Sequence, residues 1–304
     1  MNSVIKNIFR PFYNAAYFFT QRTLSINPFI PKKITGKKIS YGHLRYEQEN
    51  DPSLDEKIEA ELKKKKIAVA EYFIDIPAFR KYLTDAPYPQ NYYGDSKGRK
   101  DDFTEKTLEH FVSLQLLELR YGQTVIDVGA GDSPFCAVSE RIIPGIKCFS
   151  LDTHFPPAGK RKIRASASQI PFENESVDAL VLHCAFEHFE GNADIDFLAE
   201  AQRVLKKGGK CLILPFYLSS RYAIHIDPMN NFLKRLQPEM NEGEASILYC
   251  DSRQSFTRHY DVPAFRKRIL CNLKNVDVMV HRVKNFKEVN TDCYLRFILS
   301  LTKQ

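Results

Sequence analysis

The sequence predicts an α/β protein built on a mostly parallel sheet with helices on both faces. Three observations carry that expectation. Between residues 124 and 216, short runs rich in Val, Ile and Leu alternate with segments of helical period, the pattern of a sheet buried between two helix layers. The first run, VIDV at 125–128, opens into the turn GAGDSP, where glycines let the backbone bend tightly and approach a ligand. An acid, Asp152, ends the next run, 21 residues after Gly131, and open parallel sheets bind ligands beyond the carboxyl ends of their strands.

The elements follow in order. Residues 3–19 carry Val4, Ile5, Ile8, Phe9, Phe12, Ala16 and Phe19 at helical spacing, and 20–50 read as irregular. A helix is expected over 53–73, with Ser53 as cap and Asp55 and Glu56 in its first turn. The run Lys63–Lys66 reads as its solvated face, because Glu59 and Glu61 precede Lys63 and Lys65 by four residues. A Tyr- and Pro-rich loop spans 86–101. Asp102 and Glu105 have capping-box spacing for the next helix, and Gly122 is a natural stop. Strands are expected at 124–128, 147–151, 162–165, 178–183 and 210–216. Helices are expected at 134–143, with Ser133 capping and Pro134 first, and at 193–206, closed by KKGG. A polar insertion, 217–258, precedes a helix at 262–272 and strands at 276–284 and 292–302.

Composition narrows the function classes. The net charge of +7 is concentrated in residues 1–45, which hold eight basic residues and no acid. The remainder is nearly neutral, so a general nucleic-acid-binding surface is not supported. No run of 18 apolar residues occurs, so no membrane span is expected, and no secretory signal is read at the N-terminus. The seven cysteines are scattered without a C-x-x-C pair. That suits reduced thiols and a cytoplasmic location better than a disulfide framework or structural zinc.

The glycine turn has several possible ligands. A nicotinamide dinucleotide site wants glycine where Pro134 stands, for close helix–strand packing. No G-x-x-x-x-G-K-[ST] motif occurs for a phosphate loop. Asp152, at a strand end, can accept both hydroxyls of a ribose. Taken together, VIDVGAGDSPF, FSLDTHF, ASASQIPFENESVDALVLHCAFEH and AEAQRVLKKGGKCLILPF resemble the successive motifs of class I S-adenosylmethionine-dependent methyltransferases. The match is to the small-molecule branch, type 11-like, that includes ubiquinone and sugar methyltransferases. It covers about residues 105–216.

The resemblance implies a Rossmann-like seven-stranded, mostly parallel sheet with helices on both faces and its last strand antiparallel, here joined to a helical N-terminal extension. It implies S-adenosyl-L-methionine as cofactor. Asp127, Gly129 and Gly131 then hold its methionine end, Asp152 its ribose, and Ser166 and Ala167 its adenine edge, with Ala130 and Thr153 as further cofactor-binding positions. Cys184 to His188 flank the sulfonium. Ser133 replaces the third motif glycine, and Ser166 replaces the usual acid facing adenine N6, which shifts that contact toward the Ala167 backbone N–H. Two parts are expected: a basic arm and helical extension over 1–100, and the methyltransferase domain over 101–304, with 217–258 as a candidate substrate lid.

For the chemistry, LHCAFEHF places His188 as candidate base and Glu187 as its orienter, because a hydroxyl acceptor gains from a base near neutral pKa. A metal site from His183, Cys184 and His188 is not expected, since five residues separate the histidines. The N/D-P-P-Y/F motif of amino methylation is absent after the fourth strand, and so is the metal-dependent catechol-type pattern. The expected acceptor is a sugar, a glycan precursor or a related hydroxylated metabolite. A membrane quinone or lipid is the alternative, favoured by the arm, which can contact a membrane peripherally. A non-catalytic cofactor-binding subunit is the third reading. Tyr88, Tyr92, Tyr93, His225, Asp227, Arg258, His259 and Tyr260 are candidate walls for the acceptor.

Overall fold

The computed structural model describes residues 39–42, 51, 53–93, 101–156, 159–226, 245–250 and 256–304. The apolar stripe at 3–19 lies outside these residues. In chain order the elements are β1 (Ile39–Gly42), α1 (Leu54–Lys64), β2 (Val69–Tyr72), α2 (Ile76–Asp85), α3 (Asp101–Leu117), β3 (Thr124–Val128), α4 (Phe135–Ile142), β4 (Lys147–Leu151), β5 (Lys162–Ile163), β6 (Val177–His183), α5 (Ala193–Val204), β7 (Leu205–Leu214), β8 (Ala223–Ile226), β9 (Ser246–Cys250), β10 (Thr257–His259), a helical stretch α6 (262–272), β11 (Val276–Val283), α7 (Phe286–Val289) and β12 (Phe297–Lys303).

Eight strands form the main sheet in the order β2-β11-β12-β7-β6-β3-β4-β5. β3 pairs in parallel with β4 and β6, and β6 with β7. β12 runs antiparallel to both β7 and β11, as expected of the last strand. The central strands are buried on both faces: β3 is buried from Val125 to Val128, and β6 reads VDALVLH with its middle fully inside. That is why they appear in sequence as continuous apolar runs rather than alternating ones. Ile126 and Val128 point into a core shared with α1, α5 and α6. Val125 points into the opposite core, under α2, α3 and α4.

Several boundaries move, each for a local reason. The helix expected over 53–73 stops at Lys64, because Lys66 adopts φ +59°. Val69–Tyr72 then leave as β2 and pair with β11, Val69 opposite Val280. A partner more than two hundred residues away decides that segment. Ser53 does not cap the helix through its side chain; its N–H and Oγ instead donate to Asp51. Asp102 lies inside α3, and Glu105 is buried, its Oε2 accepting the Tyr294 N–H at 3.0 Å. α5 ends at Val204, and LKKGG belongs to β7, where a bulge opposite Val177–Ala179 absorbs the extra residues. The strand expected from 292 begins at Phe297, and that expected over 162–165 shortens to Lys162–Ile163.

Part of the polar stretch 217–258 folds as a second sheet together with β1, which comes from the segment 20–50 expected to be irregular, in the order β1-β9-β8-β10. All four residues of β8 are buried, and Ile224 and Ile226 join the core beside α1 and α5. Cys136 on α4 and Cys148 on β4 are joined by a disulfide with a Cα–Cα distance of 5.0 Å. The scattered cysteines gave no sign of it; packing of α4 on β4 brings the pair together. Among the described residues no helix is long and apolar enough to cross a membrane.

Candidate active site

β3 ends at Val128, and the chain turns through Gly129 at φ +70° and Gly131 at φ +50°. These are left-handed conformations that side chains disfavour. A Cβ on Gly129 would lie 2.7 Å from the Ala185 Cβ, so glycine is required where the β3 turn meets the turn after β6. The Gly129 and Ala130 N–H groups donate to the Leu151 carbonyl at 2.8 and 3.1 Å. Asp152 completes the link: Oδ2 accepts the Gly131 N–H at 2.9 Å and Oδ1 the His154 N–H at 2.8 Å. The interval of 21 residues thus closes on itself. α4 starts one residue later than expected, at Phe135, whose N–H donates to Ser133 Oγ at 3.2 Å.

Two pockets open along this edge. The smaller, about 480 Å³, brings together Gly129, Asp152, Thr153, Ser166, Ala167, Cys184 and His188. The larger, about 730 Å³, lies between the turn Gly129–Pro134 and the wall of Tyr92, Tyr93, Lys106, His110 and His183. Gly129 and Cys184 line both; Ala130 and Gly131 line the larger. Ser166 Oγ is turned toward Ser168 Oγ, 2.7 Å away.

Asp127 is buried beneath the turn, with Oδ1 3.2 Å from His183 Nδ1. Ser113 Oγ–H donates to the His110 carbonyl at 2.8 Å, so Oγ accepts the His183 Nε2–H at 3.1 Å. His183 Nδ1 then offers a lone pair, and the proton facing it belongs to Asp127. The electrostatics agree: burial pushes the Asp127 carboxyl up to about 8 and the His183 imidazole down to about 3. The motif acid is therefore a neutral hydrogen-bond donor at neutral pH.

His188 sits on the short helical turn Phe186–His188. Its Nδ1 lies 2.8 Å from the Phe256 carbonyl, which requires Nδ1–H to donate and leaves the Nε2 lone pair available. Nε2 is 3.6 Å from Glu187 Oε1. Glu187 is buried, and its Oε2 has no hydrogen-bond partner.

A polar cluster on α3 escaped the sequence reading. Lys106 Nζ donates to Glu109 Oε1 at 2.9 Å, to Tyr294 Oη at 3.0 Å and to Cys184 Sγ. Cys184, at φ +46°, directs its thiol to Glu109 at 3.2 Å. Burial pushes Glu109 up to about 8 and raises Cys184 well above a free thiol. Against the cost of burial, the neighbouring Cys184 and Glu109 hold Lys106 above its ordinary value. In sequence, this stretch read only as the start of a helix, with Asp102 and Glu105 at capping-box spacing; the crossing of α3 over the end of β6 makes it a pocket wall.

The acceptor candidates divide. Tyr92 and Tyr93 line the larger pocket. Tyr88 backs them, stacked on Tyr92 at 5.6 Å with its hydroxyl bonded to Tyr82 and His110. Arg258 and Tyr260 are buried away from it, bound to Asp194 at 2.8 Å each. His225 and His259 pack ring on ring at 4.2 Å within the second sheet. Asp227 lies outside the described residues.

Residues 126–213 match the family model of a methyltransferase domain. No curated protein matches the chain in sequence. Among solved structures it is similar to 1,6-didemethyltoxoflavin-N1-methyltransferase from Burkholderia thailandensis, determined with 1,6-didemethyltoxoflavin and S-adenosylhomocysteine. That likeness is at 14% identity over 78% of this chain and 94% of that one, with a TM-score of 0.45. A putative S-adenosylmethionine-dependent methyltransferase from Listeria monocytogenes is 15% identical over 66% and 100%, TM-score 0.41. One from Aquifex aeolicus is 14% identical over 75% and 97%, TM-score 0.40. Asp152, at the pocket wall beside the Gly129 turn, suits a cofactor that carries a ribose. Residues 126–213 therefore match a methyltransferase domain, the family that the motifs of the sequence resemble.

Proposed function

We propose that this enzyme performs metal-independent O-methylation of a sugar, a glycan precursor or a related small hydroxylated metabolite. The observation that carries the proposal is the pair of pockets meeting at Gly129 and Cys184. The smaller suits the adenosyl half of the cofactor, and the larger, walled by tyrosine faces and hydroxyls, leaves room for an acceptor. Bound there, S-adenosylmethionine supplies an electrophilic methyl group. Asp152 and Thr153 hold the ribose, Ser166 and the Ala167 backbone the adenine edge, and Gly129, Ala130 and Gly131 pass close to the methionine end. Asp127 acts from below, by holding His183 in place. His188 lines the smaller pocket, so it takes on Nε2 the proton of an acceptor that reaches past the shared rim at Cys184, and the Glu187 carboxylate stabilises the imidazolium that results. The second sheet is the candidate lid: it touches the site where Phe256 fixes the His188 ring.

The test is transfer of labelled methyl from S-adenosylmethionine into pooled sugar nucleotides and surface-glycan precursors. Product masses should rise by one methylene. His188→Ala should lower turnover by about 10²–10⁴-fold at little cost in cofactor affinity; near-normal turnover rejects the base. Label incorporated only into lipid extracts would favour a quinone or lipid acceptor instead. That second reading draws on the eight basic residues of 1–45, which suit docking at an anionic membrane surface. It predicts that the full chain, but not one starting near Ser40, co-sediments with anionic vesicles.

A further inference from the structure

His110 has no part in the scheme above, yet it lines the larger pocket and is bonded to the segments that form both of its walls. On one side its Nε2 lies 3.3 Å from Oγ of Ser133, in the turn that leads from the glycines into α4. A glycine at 133 would offer no such partner. On the other side its Nδ1 lies 2.9 Å from the hydroxyl of Tyr88, which stacks behind Tyr92. Tyr82 Oη, 2.6 Å from that hydroxyl, extends the chain to α2. The His110 ring lies nearly parallel to those of Tyr88 and Tyr92, at 16° and 20°. Burial pushes its imidazole well below the usual histidine range, so the ring is neutral: one nitrogen donates and the other accepts. Both partners are hydroxyls, which serve in either role, so the chain from Tyr82 to Ser133 is complete in either tautomer.

We propose that His110 is a positioning residue: it locks the tyrosine wall to the turn at Ser133 and so sets how wide the larger pocket opens for the acceptor. The inference rests on the acceptor reading of that pocket. Two hydrogen bonds through one buried ring make the two walls move together. A shift of the turn passes to Tyr88 and, through the stacked rings, to Tyr92. An acceptor therefore meets walls whose spacing is fixed before it arrives, which is how a site holds its geometry without reorganising on binding. The backbone of His110 is itself tied down, because Ser113 Oγ donates to its carbonyl at 2.8 Å.

The experiment uses the full chain and substitutions that remove single hydroxyls, with S-adenosylhomocysteine as the probe in calorimetry. Tyr88 lines neither pocket and reaches Ser133 only through His110. Tyr88→Phe and Ser133→Ala should each weaken the probe by about 3- to 10-fold. The double variant should lose about as much as the worse single one, not the product of the two. In a His110→Phe background, which keeps a ring but neither bond, Tyr88→Phe should change affinity by less than about twofold. Additive losses, no loss with Tyr88→Phe, or a Tyr88→Phe loss that survives in that background overturns the coupling. A second measurement needs no His110 variant. Nitration of Tyr92 and Tyr93 by tetranitromethane is read by mass spectrometry, with the exposed Tyr121 as internal standard. Ser133→Ala, at the opposite wall, should quicken it about threefold or more, as expected when one hydrogen bond no longer restrains local opening. Unchanged nitration overturns the proposal even where affinity falls. Neither measurement needs the acceptor, so failure here leaves the proposed methyl transfer standing, whereas absence of transfer to hydroxylated acceptors rejects the acceptor reading itself.

Discussion

Asp127 and His183 form a pair that reverses the usual roles of acid and base, and the reversal has a pH signature. Between its unfolded value of 3.8 and about 8, Asp127 keeps in the folded state a proton that the unfolded chain has lost. It therefore lowers stability as pH rises through that window. Glu109, raised from 4.5 to about 8, acts in the same direction. His183 works the other way: between about 3 and 6.5 the unfolded chain binds a proton that the fold refuses, so stability rises with pH. Above 6.5 only the carboxyl slopes remain. Asp127→Asn, whose amide can still donate to His183 Nδ1, should fold and should lose part of the fall in melting temperature between pH 6.5 and 8. A slope equal to that of the wild type would show that Asp127 is ionised there. Asp152 differs, since both oxygens already accept backbone N–H groups and remain at the pocket wall. Asp152→Ala should weaken S-adenosylhomocysteine binding by about 1.5–3 kcal/mol. An unchanged dissociation constant in calorimetry would remove it from the ribose site.

At the scale of elements, the site depends on how closely two strand ends approach. The turn after β3 and the turn after β6 touch at Gly129 and Ala185, with no room for a methyl group between them. Gly129→Ala should push these turns apart and weaken S-adenosylhomocysteine by at least about tenfold, because overpacking at a tight contact costs about 1–3 kcal/mol. Adding Ala185→Gly should restore part of the loss by removing the clash, while the strain of φ +70° persists. If the double variant is no better than the single one, backbone strain rather than contact governs the turn. β2, by contrast, could not be placed by local pattern alone. Lys66 ends α1 in a left-handed conformation that its side chain does not advertise, and β11 supplies the partner that makes Val69–Tyr72 a strand.

At the scale of the whole molecule, the second sheet is tied to the main one through buried charge. Arg258 and Asp194 are both fully buried and 2.8 Å apart, and Arg268 binds the same carboxylate at 2.7 Å. Both arginines also donate to the Gly191 carbonyl, which fixes the loop that carries His188. Arg258→Met should destabilise the fold by about 2–4 kcal/mol. Asp194 would keep Arg268 but lose half its compensation in a dry setting. Chemical denaturation measures this, and a loss below about 1 kcal/mol would place the pair with weak surface bridges instead.

The sequence by itself determined the central strands of the main sheet and the edge that carries the candidate site; the eighth strand, β2, where seven were expected, it did not. β3 and β4 begin and end where their apolar runs do, because a strand buried on both faces admits a polar residue only where it finds a partner, as Asp127 does in His183. Gly129, Gly131 and Asp152 were legible because turn geometry restricts residue type at those positions. Only the tertiary structure decided the rest: that α3 lays Lys106 and Glu109 over the end of β6, that Cys136 reaches Cys148, and that β8 is an inner strand within a polar stretch. Each of these depends on contacts between segments far apart in the chain. A residue's own neighbours in sequence do not encode which distant surface will remove it from water.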